Sequence, residues 1–172
     1  MNPMMPSFDL LRRAVRAAVF AIIAAVALAG CAGQPTSTPA PTLAASLAKL
    51  GFERTDDGYV LNLPGALLFE TGSDVVSADA KLRLQRLVSD LRALGITRLR
   101  LFGHTDNVGT AEFNAALSLR RAEAVAAVMI DAGFPAAGME RRGFGFERPL
   151  VDNATADGRA RNRRVAVIVP FD

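Results

Sequence analysis

Seven residues, Gly103-His104-Thr105-Asp106-Asn107-Val108-Gly109, join a stretch of alternating polarity to one with helical spacing. Irregular backbone carrying polar side chains at such a junction commonly builds a binding site. Asn114 follows Asp106 by eight residues, and Arg121 follows Asn114 by seven. At about 100° per residue, positions 114, 118 and 121 fall within about 60° of one another, so Asn114, Ser118 and Arg121 share a helix face with Asp106 at its entrance. A carboxylate and a guanidinium held apart on one rim can receive a zwitterion: the acid takes an ammonium, and the arginine grips a carboxylate with its paired donors. Arg120 points about 120° away from Asn114 and is expected to matter little, an exposed charge being worth about 0–1 kcal/mol. Spacing alone leaves a plainer reading open, in which Asp106 caps the helix or closes a turn and Arg121 is a solvated surface charge.

Other chemistries find less support. The chain of 172 residues holds one cysteine and one histidine, which excludes internal disulfides, multi-cysteine zinc sites and centres built from several imidazoles. Neither a metal nor a cofactor is expected. A hydrolase would use His104 as general base and Asp106 as its orienter, but no serine or cysteine nucleophile stands in a suitable motif. Gly143-Phe144-Gly145 is followed by Pro149 and a loop, not by a helix offering N-terminal amides to phosphate. There are 20 basic and 17 acidic side chains, but removing residues 1–30 leaves 17 and 16, a near-neutral body. That balance lacks the concentrated positive field that nucleic-acid binding requires.

Residues 1–30 carry Arg12, Arg13 and Arg16, then an uncharged apolar stretch, then Ala29 and Gly30. This is a signal-peptide layout. Its apolar core is about 20 Å long as a helix, short of a hydrocarbon layer about 30 Å thick, so a permanent span is not expected. Residues 31–50 are expected to form a linker, since Gln34 to Thr42 contains three prolines and no large apolar residue. A dozen such residues reach about 35–40 Å. The domain is expected over 51–172.

Within it, Tyr59 to Leu63 reads as a strand, the second arm of a hairpin that starts near Phe52. Ser77 could cap a helix in which Leu84, Leu87, Val88, Leu91 and Leu94 recur at helical spacing up to Gly95. Arg98 to Phe102 alternates as a strand. Thr110 opens a second long helix with Phe113, Leu117, Val125, Val128 and Met129 inward, ended at Gly133. Met139 to Gly145 and Val165 to Val169 read as further strands. One sheet covered by two long helices gives an α+β fold.

Three segments in order, Gly103 to Gly109, Asn114 to Ala122 and Asn162-Arg163-Arg164-Val165, resemble the signature of the OmpA-like C-terminal domain, with further agreement in Gly143 to Pro149 and Asn153-Ala154-Thr155. The resemblance runs from about Val60 to Val169. It implies a β-α-β-α-β-β sandwich with one four-stranded sheet packed by two long helices, which binds peptidoglycan non-covalently through the diaminopimelate of the stem peptide. The family's essential aspartate and arginine fall on Asp106 and Arg121, its pocket asparagine on Asn114, and its Thr-Asp turn on Thr105. Phe69 to Gly72 matches the loop lining the pocket, which brings in Thr71 and Gly72; Glu70 stands where many relatives carry aspartate. Arg163 and Arg164 match the Asn-Arg-Arg-Val element, one bordering the site and the other supporting packing.

Leu28-Ala29-Gly30-Cys31 resembles the bacterial lipobox, which implies acylation of Cys31 after cleavage before it. Ala32, in place of an aspartate, favours the outer membrane, with the domain on the periplasmic face. The expected partners are peptidoglycan and, through the lipid, the outer membrane. A Tol-type periplasmic protein partner stays open, because the peptidoglycan-associated lipoprotein of the Tol system shares lipid anchor, spacer and domain. Flagellar stator subunits share only the wall-binding domain, and they anchor by a full membrane span that residues 14–30 do not provide.

Overall fold

The computed structural model describes residues 42–70 and 73–171. The expected signal peptide, Cys31, nearly all of the proline-rich stretch, Thr71 and Gly72 lie outside the described residues.

The chain folds in the order α1 (Leu43–Lys49), β1 (Glu53–Thr55), β2 (Gly58–Pro64), α2 (Gly65–Leu68), α3 (Ala78–Ala93), β3 (Leu99–His104), α4 (Ala111–Asp131), a 3-10 turn (Ala136–Gly138), β4 (Met139–Gly143), α5 (Ala156–Asn162) and β5 (Arg164–Val169). Both long helices start where a hydroxyl caps them. Ser77 Oγ accepts from the Ala80 amide at 3.2 Å, and Thr110 Oγ1 accepts from the Phe113 amide at 3.2 Å. Gly95 and Gly133, at φ +76° and +95°, end them in the left-handed conformation that favours glycine.

The five strands lie in the order β1-β2-β5-β3-β4. β3 and β4 are parallel, joined by α4, and β5 runs antiparallel between β2 and β3. This central position explains why Arg164 to Val169 is buried throughout. Leu61, Val167 and Leu101 stand in register on the face that meets the helices. They join Leu84, Val88 and Leu91 of α3 and Ala122, Val125 and Met129 of α4 in one core. Fully burying each such Leu or Val contributes about 1.5–3 kcal/mol.

Four details depart from the sequence-based expectation. The sheet has five strands, the extra one being β1, the short arm of the hairpin that pairs Glu53 with Val60. The expected linker over 31–50 gives way at its end to α1, capped by Thr42, whose Leu47 is fully buried in the core. Phe113, expected inward, is 56% exposed. The buried stripe of α4 runs through Asn114, Ser118, Ala122, Val125 and Met129, and Phe113 sits about 100° off it. β4 ends at Gly143, because the next residues turn back to bond the end of β3.

β3, β4 and α4 meet closely at one end of the sheet. A Cβ on Gly103 would stand 1.9 Å from the Ser118 carbonyl oxygen, and one on Gly143 would stand 2.4 Å from the Leu119 nitrogen. Only glycine lets the helix backbone approach both strands there, and this contact fixes where the start of α4 sits.

Candidate functional site

β3 delivers His104, Thr105 and Asp106 to this end of the sheet. The Thr105 amide donates to the Gly145 carbonyl at 2.8 Å, and the Gly145 amide donates to Ser118 Oγ at 2.9 Å. The chain then turns. Asp106 Oδ1 accepts from the Val108 amide at 3.1 Å, and the Asn114 side-chain Nδ2 donates to the Val108 and Thr110 carbonyls at 2.9 and 3.0 Å. Asp106 therefore closes a turn, while Thr110 caps the helix. Of the two structural roles open to Asp106, the turn is its own and the cap belongs to Thr110.

Asp106 Oδ2 accepts from Arg163 Nη1 at 2.7 Å. Arg163 is held by its own backbone, its carbonyl accepting from the Gly65 amide at 2.7 Å. Just before it, Asn162 is fully buried. Its Oδ1 accepts from the Leu150 and Val151 amides and its nitrogen donates to the Val151 carbonyl and Asn153 Oδ1, which locks the loop that precedes α5. Arg164 turns the other way into the sheet, 8% exposed, and donates to Asn62 Oδ1 at 3.1 Å. Burial pulls its guanidinium down to about 10.

Arg121 is the second charged centre. Its Nη2 donates to the Ser73 carbonyl at 3.1 Å, and its guanidinium lies 5.0 Å from the centre of the Phe69 ring. Burial holds it below the ordinary guanidinium range, opposed by the nearby carboxylates of Asp74 and Asp106 and reinforced by Arg163 and Arg120. Arg121 and Asp106 thus lie within electrostatic range of each other. Two buried atoms here have no hydrogen-bond partner among the described residues, Thr105 Oγ1 and Arg121 Nε.

Of the expected ligand residues, Asp106, Arg121, Thr105 and Arg163 come together. Asn114 belongs to the same site but is 2% exposed with its amide donors committed to the loop, so it braces the turn. Ser73 and Asp74 are site residues that sequence reasoning missed. Ser73 acts through a main-chain carbonyl, which has no residue-type signature. Asp74 Oδ2 accepts from Arg120 Nε at 2.8 Å, so Arg120, expected to point elsewhere, reaches the same loop as Arg121.

The arrangement is not that of a general base with its orienter. His104 is 4% exposed, stacked on Phe144 with ring centres 5.6 Å apart, and its Nδ1 has no hydrogen-bond partner among the described residues, while both Asp106 oxygens are used by Val108 and Arg163. Among the described residues no group of three His, Cys, Asp or Glu side chains could hold a metal ion.

Comparison with known proteins identifies the family. Residues 68–163 match the model of the OmpA family. The chain is 42% identical to the outer-membrane lipoprotein YfiB of Pseudomonas aeruginosa, over 93% of this chain and 95% of that protein. It is 31% identical to the peptidoglycan-associated lipoprotein of Agrobacterium fabrum, over 88% and 86%. Among solved structures, the cell wall anchor of the T6SS from Pseudomonas aeruginosa superposes with a TM-score of 0.64 at 31% identity, covering 77% of this chain and 99% of that one. The segments that build the Asp106 and Arg121 corner fall within the matched span, and the chain belongs to the OmpA family.

Proposed function

We propose that the chain is an outer-membrane lipoprotein, anchored through acylated Cys31 on the periplasmic side. Its folded domain binds peptidoglycan non-covalently through the diaminopimelate of the stem peptide and so tethers membrane to wall. One observation carries this reading. A carboxylate and a half-buried guanidinium, each braced by backbone, come together with two buried polar atoms, Thr105 Oγ1 and the guanidinium's own Nε, that find no partner among the described residues. A buried polar atom left unpaired costs about 1–3 kcal/mol, and a ligand that supplies acceptors recovers it. The relatives named as outer-membrane and peptidoglycan-associated lipoproteins support the same reading.

The free stereocentre of diaminopimelate bears an ammonium and a carboxylate on one carbon. Asp106 takes the ammonium through Oδ2, sharing it with Arg163, and Arg121 takes the carboxylate. Two charge-assisted hydrogen bonds contribute about 1.5–3 kcal/mol each, so a single site binds weakly after ordering costs. Many copies facing a repeating polymer hold by avidity.

The test is a pull-down of the full-length protein with purified sacculi. Asp106→Ala and Arg121→Ala each lose detectable binding with the fold intact, because each strands a ligand charge, a loss of about 2–5 kcal/mol. Walls whose stem peptides carry lysine fail to bind unless they present an equivalent D-centre. Normal binding by both variants refutes the proposal. The anchor is tested separately: Cys31→Ser abolishes labelling by a palmitate analogue, and equal labelling of variant and wild type refutes acylation at Cys31.

A further inference from the structure

The loop before α3 is fastened to α4 at two successive points. Arg121 Nη2 donates to the Ser73 carbonyl, and Arg120 Nε donates to Asp74 Oδ2 at 2.8 Å. Two adjacent helix residues therefore grip two adjacent loop residues. The loop segment is shaped by its own backbone. Phe69 and Val76 form an antiparallel bridge, the Glu70 amide donates to the Val75 carbonyl at 3.2 Å, the Ser73 amide to the Glu70 carbonyl at 3.0 Å, and the Val75 amide to Ser73 Oγ at 2.9 Å. Phe69, at the base of this closed segment, is the ring on which the Arg121 guanidinium rests.

The two grips differ in kind. Arg121 is half-buried, and its fork is aimed by the Ser73 carbonyl at one end and the Phe69 ring on one face. Arg120 and Asp74 are solvent-facing, with side chains 49% and 38% exposed. An exposed ion pair contributes little to stability. Its placement gives it another effect: whatever holds Asp74 also holds the carbonyl one residue earlier, and that carbonyl sets the angle of the Arg121 fork. The hydrogen bond from Arg120 also lowers the Asp74 carboxyl below its ordinary value, so the aspartate is ionised at neutral pH.

We propose that Asp74 and Arg120 are positioning residues for the wall-binding site, an external latch that holds the Ser73 carbonyl where it aims the Arg121 guanidinium at the carboxylate of the ligand. The inference rests on the proposed role of Arg121 in ligand binding. A latch of this type acts on affinity more than on stability, because a bidentate contact needs its two donors held in a fixed plane.

The experiment titrates the full-length protein, purified in detergent, against diaminopimelate-containing sacculi, with thermal unfolding and the Arg121 Nε–Hε NMR resonance recorded for each variant. Asp74→Ala and Arg120→Ala each weaken binding about 5–10-fold with unchanged melting temperature, and the double variant is no weaker than either single one. Asp74→Glu restores most of the affinity. The Arg121 Nε–Hε signal shifts in both alanine variants and returns in Asp74→Glu, a change that a merely structural role on the surface does not produce. Asp106→Ala is measured alongside. If Asp106→Ala abolishes binding while Asp74→Ala and Arg120→Ala bind as wild type, or act additively, the latch is wrong and the site stands. If Asp106→Ala itself binds as wild type, the functional reading is wrong.

Discussion

Arg163 Nη1 lies 2.7 Å from Asp106 Oδ2, joining the turn after β3 to the start of β5 across 57 residues of sequence. The aspartate proposed to receive the ligand ammonium thus already holds one cation, while its other oxygen is occupied by the Val108 amide. The neighbouring Arg164 is buried in the sheet, where its hydrogen bonds among the described residues go to Asn62 Oδ1 and to the Asn162 and Arg148 carbonyls. The two adjacent arginines therefore have separable duties. Arg163→Ala is expected to weaken sacculus binding by about tenfold, or about 1.4 kcal/mol, with little change in melting temperature, since the side chain is 42% exposed. Arg164→Ala is expected to do the reverse, lowering stability by about 1–3 kcal/mol through the groups it leaves unpaired. Paired binding and thermal-unfolding measurements distinguish them, and equal effects on both properties in both variants overturn the division.

Gly103 tests the packing that places the site. Its missing Cβ would collide with the Ser118 carbonyl in the helix backbone, which cannot swing aside as a side chain can. Gly103→Ala is expected to cost about 1–3 kcal/mol and to displace the start of α4, so that binding falls with stability. Chemical denaturation gives the first number and sacculus binding the second. Gly95→Ala is the control, because a Cβ there meets nothing within 4 Å and the strain is that of its positive φ alone, remote from the site.

Much of this fold was legible because the residues that form it carry local signals. Ser77 and Thr110 cap helices, Gly95 and Gly133 end them, and the valines of β5 alternate as strand residues do. The site was half legible. Asp106, Asn114 and Arg121 are chemically distinctive, and Asn114 and Arg121 fall at helical spacing with Asp106 at the helix entrance, so their shared corner could be read from sequence. Ser73 could not, because a main-chain carbonyl is the same in every residue. The ion pair of Arg120 with Asp74 was not legible, because a Cβ direction on a helix wheel does not limit where a long, flexible side chain ends. Phe113 is exposed although apolar, because the inward positions in the first two turns of α4 belong to Asn114 and Ser118, which satisfy the loop backbone.

His104 gives a pH signature in the stability of the domain. Burial, then the charges of Arg164 and Arg148, lower its pKa from 6.5 to about 3. The folded state thus resists a proton that the unfolded state accepts from about pH 6.5 downward. With a depressed folded pKa, the stability is fully present above pH 6.5 and is lost as pH falls toward 3, by up to about 1.4 kcal/mol per pH unit. Carboxylates contribute below about pH 5, so the window from 6.5 to 5 isolates the histidine. Urea denaturation across that window is expected to show a falling midpoint in wild type and a flat one in His104→Gln. A flat wild-type profile refutes the assignment. Near neutral pH the imidazole stays uncharged, so sacculus binding between pH 6.5 and 8 is not expected to depend on it.

Leu47 decides where the domain begins. Residues 43–49 follow a proline-rich stretch and contain four alanine or serine residues, a composition that reads as the end of a spacer. The structure nevertheless forms α1, with the Thr42 hydroxyl accepting from the Ala45 amide and the Leu50 and Gly51 amides closing its end on the Leu47 and Ala48 carbonyls. A seven-residue helix is too short to persist on its own, so its stability must come from packing. One side chain supplies that packing: Leu47 has no exposed surface and joins the core with Phe52. Leu47→Ala is therefore expected to destabilise the domain by about 2–4 kcal/mol, whereas Leu43→Ala, at a position 45% exposed, changes stability by less than about 0.5 kcal/mol. Denaturant midpoints of the two variants measure the difference. Equal midpoints for Leu47→Ala and wild type return residues 43–50 to the spacer and move the start of the domain to Gly51.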